Sequence, residues 1–151
     1  MTTITFRVYD TPRPGGSKRA FVIQPKGGGR PRAVVTDDCK GNKTWREAVK
    51  AAALEYYKGA ILTGPVSVFA SFVMPRPKGH YRTGANANLL RDSAPAFPAG
   101  KPDALKLMRS TEDALTGIIW RDDAQVVVMG IEKIYETQNA KPGAMITVET
   151  L

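Results

Sequence analysis

Residues 101–127, KPDALKLMRSTEDALTGIIWRDDAQVV, place five of the chain's fourteen Asp and Glu residues between Asp103 and Asp123. The chain as a whole has a formal net charge of +8, so this is a local acidic cluster in a basic protein. A basic surface draws in a polyanion, and carboxylates brought close together repel unless a cation lies between them. Mg²⁺ suits such a place, because it prefers oxygen ligands, keeps several waters and bridges carboxylates to a substrate phosphate. The chemistry implied is attack of an activated water on phosphorus, with the leaving 3′ oxygen stabilised. Arg109 or Lys106 would offset the charge on the phosphorane. The plain alternative is that Asp103 only caps a helix and that Asp122 and Asp123 only make a polar turn.

The elements that must position these groups follow from periodicity. Asp103 precedes a helix expected at about 104–116, whose Ala104, Leu107 or Met108, Thr111 and Leu115 line one face. Leu105, Arg109 and Glu112 share another face, so Arg109 reaches Glu112 or Asp113. A turn near Gly117 returns the chain, and Arg121-Asp122-Asp123 sits at the mouth of a strand over 125–135. That strand is nearly continuous in apolar residues, which predicts burial on both faces, with Gly130 at a bulge. On this layout Asp103 and Asp123 meet at one end of the sheet.

Upstream, residues 3–9 alternate, with Ile4, Phe6 and Val8 on one face of a strand. PRPGGSKR follows as irregular chain, with Lys18 and Arg19 beside small residues that admit a phosphate. Residues 20–23 and 33–36 read as a hairpin joined by a basic, glycine-rich loop. Residues 43–58 make the clearest helix, with Trp45, Val49, Ala52 or Ala53 and Tyr56 on its core face. Residues 65–73 are a strand with Val66, Val68, Ala70 and Phe72 on one face. Residues 74–102 hold five prolines and form a long loop carrying Arg76, Lys78, His80, Tyr81, Arg82, Arg91 and Lys101. That mixture suits phosphate contact and stacking on unpaired bases, although an ordered structural arm explains it equally. Residues 144–150 alternate again as a last strand. The expected fold is one α+β domain over 1–151, a small mixed β-sheet with two main helices packed on it.

Composition narrows the classes. No apolar run approaches the roughly 20 residues that span a bilayer, and the first ten residues read as a strand rather than a secretory signal. A cytoplasmic location is expected. Cys39 and His80 are the only residues of their kinds, which excludes an internal disulfide and a cysteine zinc site and argues against a Ser-His-Asp or Cys-His apparatus. Residues 1–102 carry +11 and residues 103–151 carry −3. That asymmetry points to nucleic acid, or else to a merely solvated basic face.

The motifs in order are PxPGGSKR, TWREAV, LTGPV, MPRPKxHY, SAPAxPxxKPD, and DALTG followed by RDDAQVV. Together they resemble the RusA family of Holliday-junction resolvases, in the longer form found in phages and prophages. The resemblance implies a homodimeric, Mg²⁺-dependent endonuclease, with Mn²⁺ as a substitute, that cuts four-way DNA junctions symmetrically. It implies metal ligands at Asp103 and Asp123, with Asp122 beside them, and a catalytic cation at the position of Arg109, where the family has Lys. The family's second Asp falls on Leu105, which cannot bind metal. Glu112, two turns along the same helix face, is the candidate replacement ligand. Lys18, Arg19, Arg76, Lys78, Arg82, Lys101 and Lys106 are the expected DNA contacts. The alternative is a junction-binding protein whose nuclease site is impaired by Leu105, and a third reading is a general basic DNA- or RNA-binding module.

Overall fold

The computed structural model of the chain describes residues 1–16, 18–37 and 41–151; Ser17 of the PGGS motif and Cys39 lie outside it. Its elements are β1 (Thr3–Tyr9), β2 (Lys18–Ile23), β3 (Arg32–Asp37), α1 (Asn42–Tyr56), β4 (Val66–Met74), α2 (Ala104–Leu115), β5 (Val126–Tyr135) and β6 (Gly143–Thr150). Four strands form a mixed sheet in the order β1-β6-β4-β5, in which only β4 and β5 run parallel. A parallel neighbour needs a crossover, and residues 75–125, with α2 inside them, supply it. The fold is α+β, with both helices on one face of the sheet.

The period-2 stretches bury the side chains they should. Ile4, Phe6 and Val8 of β1, Val66, Val68, Ala70 and Phe72 of β4, and Ala144, Ile146 and Val148 of β6 make one apolar layer. Trp45, Val49 and Ala53 of α1 and Leu107, Met108, Ala114 and Leu115 of α2 make the layer above it. Full burial of each large apolar side chain stabilises by about 1.5–3 kcal/mol. Tyr56 belongs with solvent instead. It is the last residue of α1, which by then has passed the edge of the core.

Three other expectations change. β5 is an edge strand, not a doubly buried one, and Val127 and Val128 are 60% and 55% exposed. Its apolar run reflects a free edge, since β4 alone pairs with it. The register irregularity sits opposite Val66 and Ser67, not at Gly130. Gly130 is glycine for another reason: a Cβ there would lie 2.6 Å from the Phe69 ring. Residues 74–102 are also not a bare loop. They contain 3₁₀ turns at Lys78–His80 and Gly84–Asn86 and a bridge between Tyr81 and Leu90.

The hairpin appears where expected but extends from Lys18, so Lys18 and Arg19 begin β2 rather than lying in irregular chain. β2 and β3 form a separate two-stranded sheet, and Phe21, Val22, Ile23 and Val35 on it are exposed.

Candidate active site

α2 carries the acidic motif, and its buried face is fixed by polar as well as apolar contacts. Thr111 Oγ1 accepts the indole N–H of Trp45 at 3.1 Å and donates to Leu107 O at 2.9 Å. Ser110 donates to the Asn42 side chain at the start of α1. Beside Ser110 the PGG segment meets the helix, where Gly15 N–H donates to Lys106 O at 2.8 Å. With one face of α2 locked this way, Leu105, Arg109 and Glu112 are left facing outward around a shallow cleft that Met129 of β5 completes.

The turn that presents Asp123 is built by its neighbours. Asp122 caps the 3₁₀ turn Asp123–Gln125, its carboxylate accepting Ala124 N–H at 2.8 Å. Gln125 closes the box. Its Oε1 accepts the N–H groups of Arg121 and Asp122 at 2.9 and 2.8 Å. Its Nε2 donates to Leu62 O and Gly64 O at 3.0 and 2.7 Å, tying the turn to the chain entering β4. Asp122 is thereby occupied as a cap, and Asp123 is exposed beside it.

Glu112 and Asp123 act on one another. Partial burial pushes the Glu112 carboxyl above its ordinary value, and the charges of Asp123 and then Asp113 push it further, while Arg109 pulls it down. The expected proximity of Arg109 to Glu112 is therefore met through its field. Two carboxylates this close, with only Arg109 as an offsetting charge on Glu112, are suited to a divalent cation. Leu105, 72% exposed, contributes only hydrocarbon to the same face.

Asp103 stands elsewhere. It occupies the N-cap position of α2 as expected, but its side chain makes no cap hydrogen bond and lies 3.9 Å from Lys106 Nζ. Nine residues of helix, about 13.5 Å of rise, separate it from Glu112. β5 runs the opposite way along α2. Asp123 precedes its start beside Glu112, Met129 faces the helix middle, and Lys133 donates to Gly100 O and Pro102 O just ahead of Asp103, both at 2.9 Å. Asp103 and Asp123 thus mark different ends of α2 instead of converging. Among the described residues no three Asp, Glu, His or Cys side chains gather as a metal site.

The expected DNA contacts divide in the same way. Lys78 and Lys101 are exposed. Arg82 pairs with Asp92 at 3.1 Å and donates to Leu90 O. Arg76 lies 4.1 Å over the Tyr135 ring and donates to Pro95 O, bracing the arm. The side chains of Lys18 and Arg19 lie outside the described part. Sequence reasoning missed Gln125 and Lys133, the two side chains that fix the backbone at either end. The Gln in DDAQ was the available signal for the first. Lys133 had one too: with Glu132 it is one of two charged residues in a strand whose remaining residues are mostly apolar.

Comparison with known proteins identifies the family. The chain is 30% identical over 143 residues to YqaN of Bacillus subtilis (strain 168), a protein described as uncharacterized, covering 91% of this chain and 92% of that one. Residues 14–149 match the family described as endodeoxyribonuclease RusA, a span that takes in α2, the DDAQ turn and every strand but β1 and the end of β6. The chain belongs to the RusA family of endodeoxyribonucleases, the Holliday-junction resolvases.

Proposed function

We propose that this protein cuts four-way DNA junctions by Mg²⁺-dependent hydrolysis of phosphodiesters, with Glu112 and Asp123 as the metal-holding pair. The observation that carries this reading is the open cleft that Glu112 and Arg109 line on the outward face of α2, where burial and then the nearby Asp123 charge leave Glu112 harder to ionise. Family nucleases depend on a divalent metal, and the residues present fit one. Mg²⁺ needs only one or two carboxylates when waters and a substrate phosphate complete its shell. Mn²⁺, with the same preference for oxygen ligands, is the expected substitute. When bound, the cation supplies a lowered pKa for water and charge neutralisation at phosphorus.

The chain's own residues supply the rest. Arg109, one turn from Glu112, faces charge developing on the phosphoryl oxygens. Asp122 and Gln125 hold the turn so that Asp123 keeps its aim. Asp103, with Lys106 and Lys101 around it, orders the second end of α2 against the DNA backbone. Lys18, Arg19, Arg76, Lys78 and Arg82 add the sequence-independent attraction, which falls steeply with salt.

A homodimer is part of this reading. The apolar residues left uncovered on β2, β3 and the free edge of β5 support it, because a two-stranded hairpin is marginal alone and a bare edge invites pairing. No helix among the described residues is long and apolar enough to cross a membrane, and a cytoplasmic site of action fits a DNA substrate.

The second reading, a junction-binding protein with an impaired nuclease site, is favoured by one observation: Leu105 stands exposed where the family has Asp. A labelled synthetic four-way junction separates the two. Paired symmetric nicks with Mg²⁺ are expected, alongside tight binding in Ca²⁺. Binding without nicks in either Mg²⁺ or Mn²⁺ establishes the second reading, and equal competition by linear duplex overturns both.

A further inference from the structure

An apolar hollow of the surface lies directly ahead of Asp103. It is a cleft of about 420 Å³ between the segment 11–14, the start of the arm and the chain entering α2. Pro75, Pro98, Pro102 and Tyr135 give it apolar walls, and Arg13, Lys101 and Lys133 give it cations; no carboxylate lines it. From these features we propose that the cleft is a nucleotide pocket. It takes the base of one unstacked nucleotide from the DNA strand, with that nucleotide's phosphate on Lys101 and Arg13. The proposal rests on the junction-cleaving reading for its substrate, and names where on the protein an unpaired base is held.

Four observations converge on it. The volume lies in the range of small-ligand sites, and the lining has their composition of apolar wall with few polar groups. The cations sit on a pocket that excludes acids, which matches a phosphate-bearing occupant and rejects an acidic peptide. Tyr135 cannot swing freely, since Arg76 lies 4.1 Å over its ring and His80 meets it edge-on at 5.4 Å between centroids. A pre-set aromatic surface costs little further ordering when a base stacks on it. Lys133 spends two of its three ammonium hydrogens on Gly100 O and Pro102 O, which leaves one for a base oxygen or a phosphate. Position adds the reason for having such a pocket. Its wall at Pro102 is the residue before Asp103, so a base seated there fixes the register of the strand along α2. The crossover of a junction interrupts the continuous stack, so a base there is cheaper to unstack than one in intact duplex.

Gly100 provides a clean way to close the pocket. It lines the cleft, and a Cβ built on it meets nothing within 4 Å. Gly100→Trp should therefore fill the cavity without strain, and Gly100→Leu is the smaller version if the first variant folds poorly. The probe is a short single-stranded deoxyoligonucleotide, compared with an abasic strand of the same length and charge, titrated in Ca²⁺. The wild-type protein is expected to bind the base-bearing strand about 5- to 150-fold more tightly, the worth of one stacked base. Gly100→Trp should erase that preference while keeping the abasic affinity. Equal affinity of the wild-type protein for both strands, or a preference that survives Gly100→Trp and Gly100→Leu, overturns the pocket and leaves it to some other occupant. A base preference abolished by Gly100→Trp in a protein that does not distinguish junction from duplex keeps the pocket and sinks the junction reading instead.

Discussion

The two ends of α2 hold acids from one family motif in opposite electrostatic settings. At the C-terminal end Glu112 and Asp123 repel one another, with Arg109 the nearest offsetting charge, and Glu112 is pushed toward its neutral form. At the N-terminal end Asp103 has Lys106 at 3.9 Å, and Lys133 and Lys101 stand just behind it. An acid that already has cations needs no metal, whereas a repelling pair gains most from one. On the proposed reading, metal binding belongs to one end and the DNA backbone to the other. Each end also has its own brace, Gln125 at the first and Lys133 at the second.

The sharpest way to break this assignment is to remove Asp123. Asp123→Asn keeps the shape of the turn, because the cap is made by Asp122 and Gln125, yet it removes one of the two ligands. Mg²⁺-supported cleavage should fall by more than about 100-fold, beyond the 10–100-fold typical of outer-shell changes. Binding of the junction in Ca²⁺ should hold or tighten as negative charge is lost. Leu105→Asp sharpens the same point, since it lies about 10 Å along the helix from Glu112. Little change in cleavage is expected. A strong gain would move the metal toward Asp103 and make Leu105 the defect.

Next in size is the brace at the metal end. Gln125→Leu strips acceptors and donors from four backbone groups in a partly exposed place. A loss of about 1–2 kcal/mol in urea unfolding is expected, and cleavage should drop by about 10- to 100-fold. A rise in the Mg²⁺ concentration that gives half-maximal cleavage marks positioning of Asp123, as opposed to simple loss of folded protein. Lys133→Met, at the other end, should leave that concentration unchanged. Junction affinity should weaken instead, by about 10-fold or less, through slack in the 100–102 backbone. If the two variants change the same parameter, the division between the ends is wrong.

How much of this was legible beforehand depended on whether a local rule governed it. The alternation at Ile4, Phe6 and Val8 and the helical spacing of Trp45, Val49 and Ala53 depend on periodicity alone, and both proved right. β5 misled because a run such as VVVMGI is consistent with burial on both faces or with an uncovered edge, and only strand order decides. The layout of the site depends on strand order in the same way. That Asp103 precedes a helix and Asp123 precedes a strand follows from sequence. That the strand then runs back along the helix, carrying Asp123 to Glu112, depends on the parallel β4–β5 pairing. That Arg82 pairs with Asp92 and that Arg76 lies over Tyr135 are long-range contacts that no spacing reveals.

The smallest effect is a pH dependence, and its sign tests the electrostatic half of the comparison. Glu112 titrates above its ordinary value of 4.5 in the fold, first through burial and then through Asp123 and Asp113. The folded protein therefore holds that proton to higher pH than the unfolded chain does. Between the two values the native state binds more protons, so stability declines as pH rises through that window. Its contribution is favourable in acid and lost once Glu112 ionises. The urea midpoint of wild-type protein should slope downward across this range, and that of Glu112→Gln should stay flatter. Saturating Mg²⁺ should abolish the slope, because a cation on Glu112 and Asp123 favours the ionised form. A slope that Mg²⁺ leaves untouched, yet that vanishes in Asp123→Asn, would mean the two acids interact without ever sharing a metal.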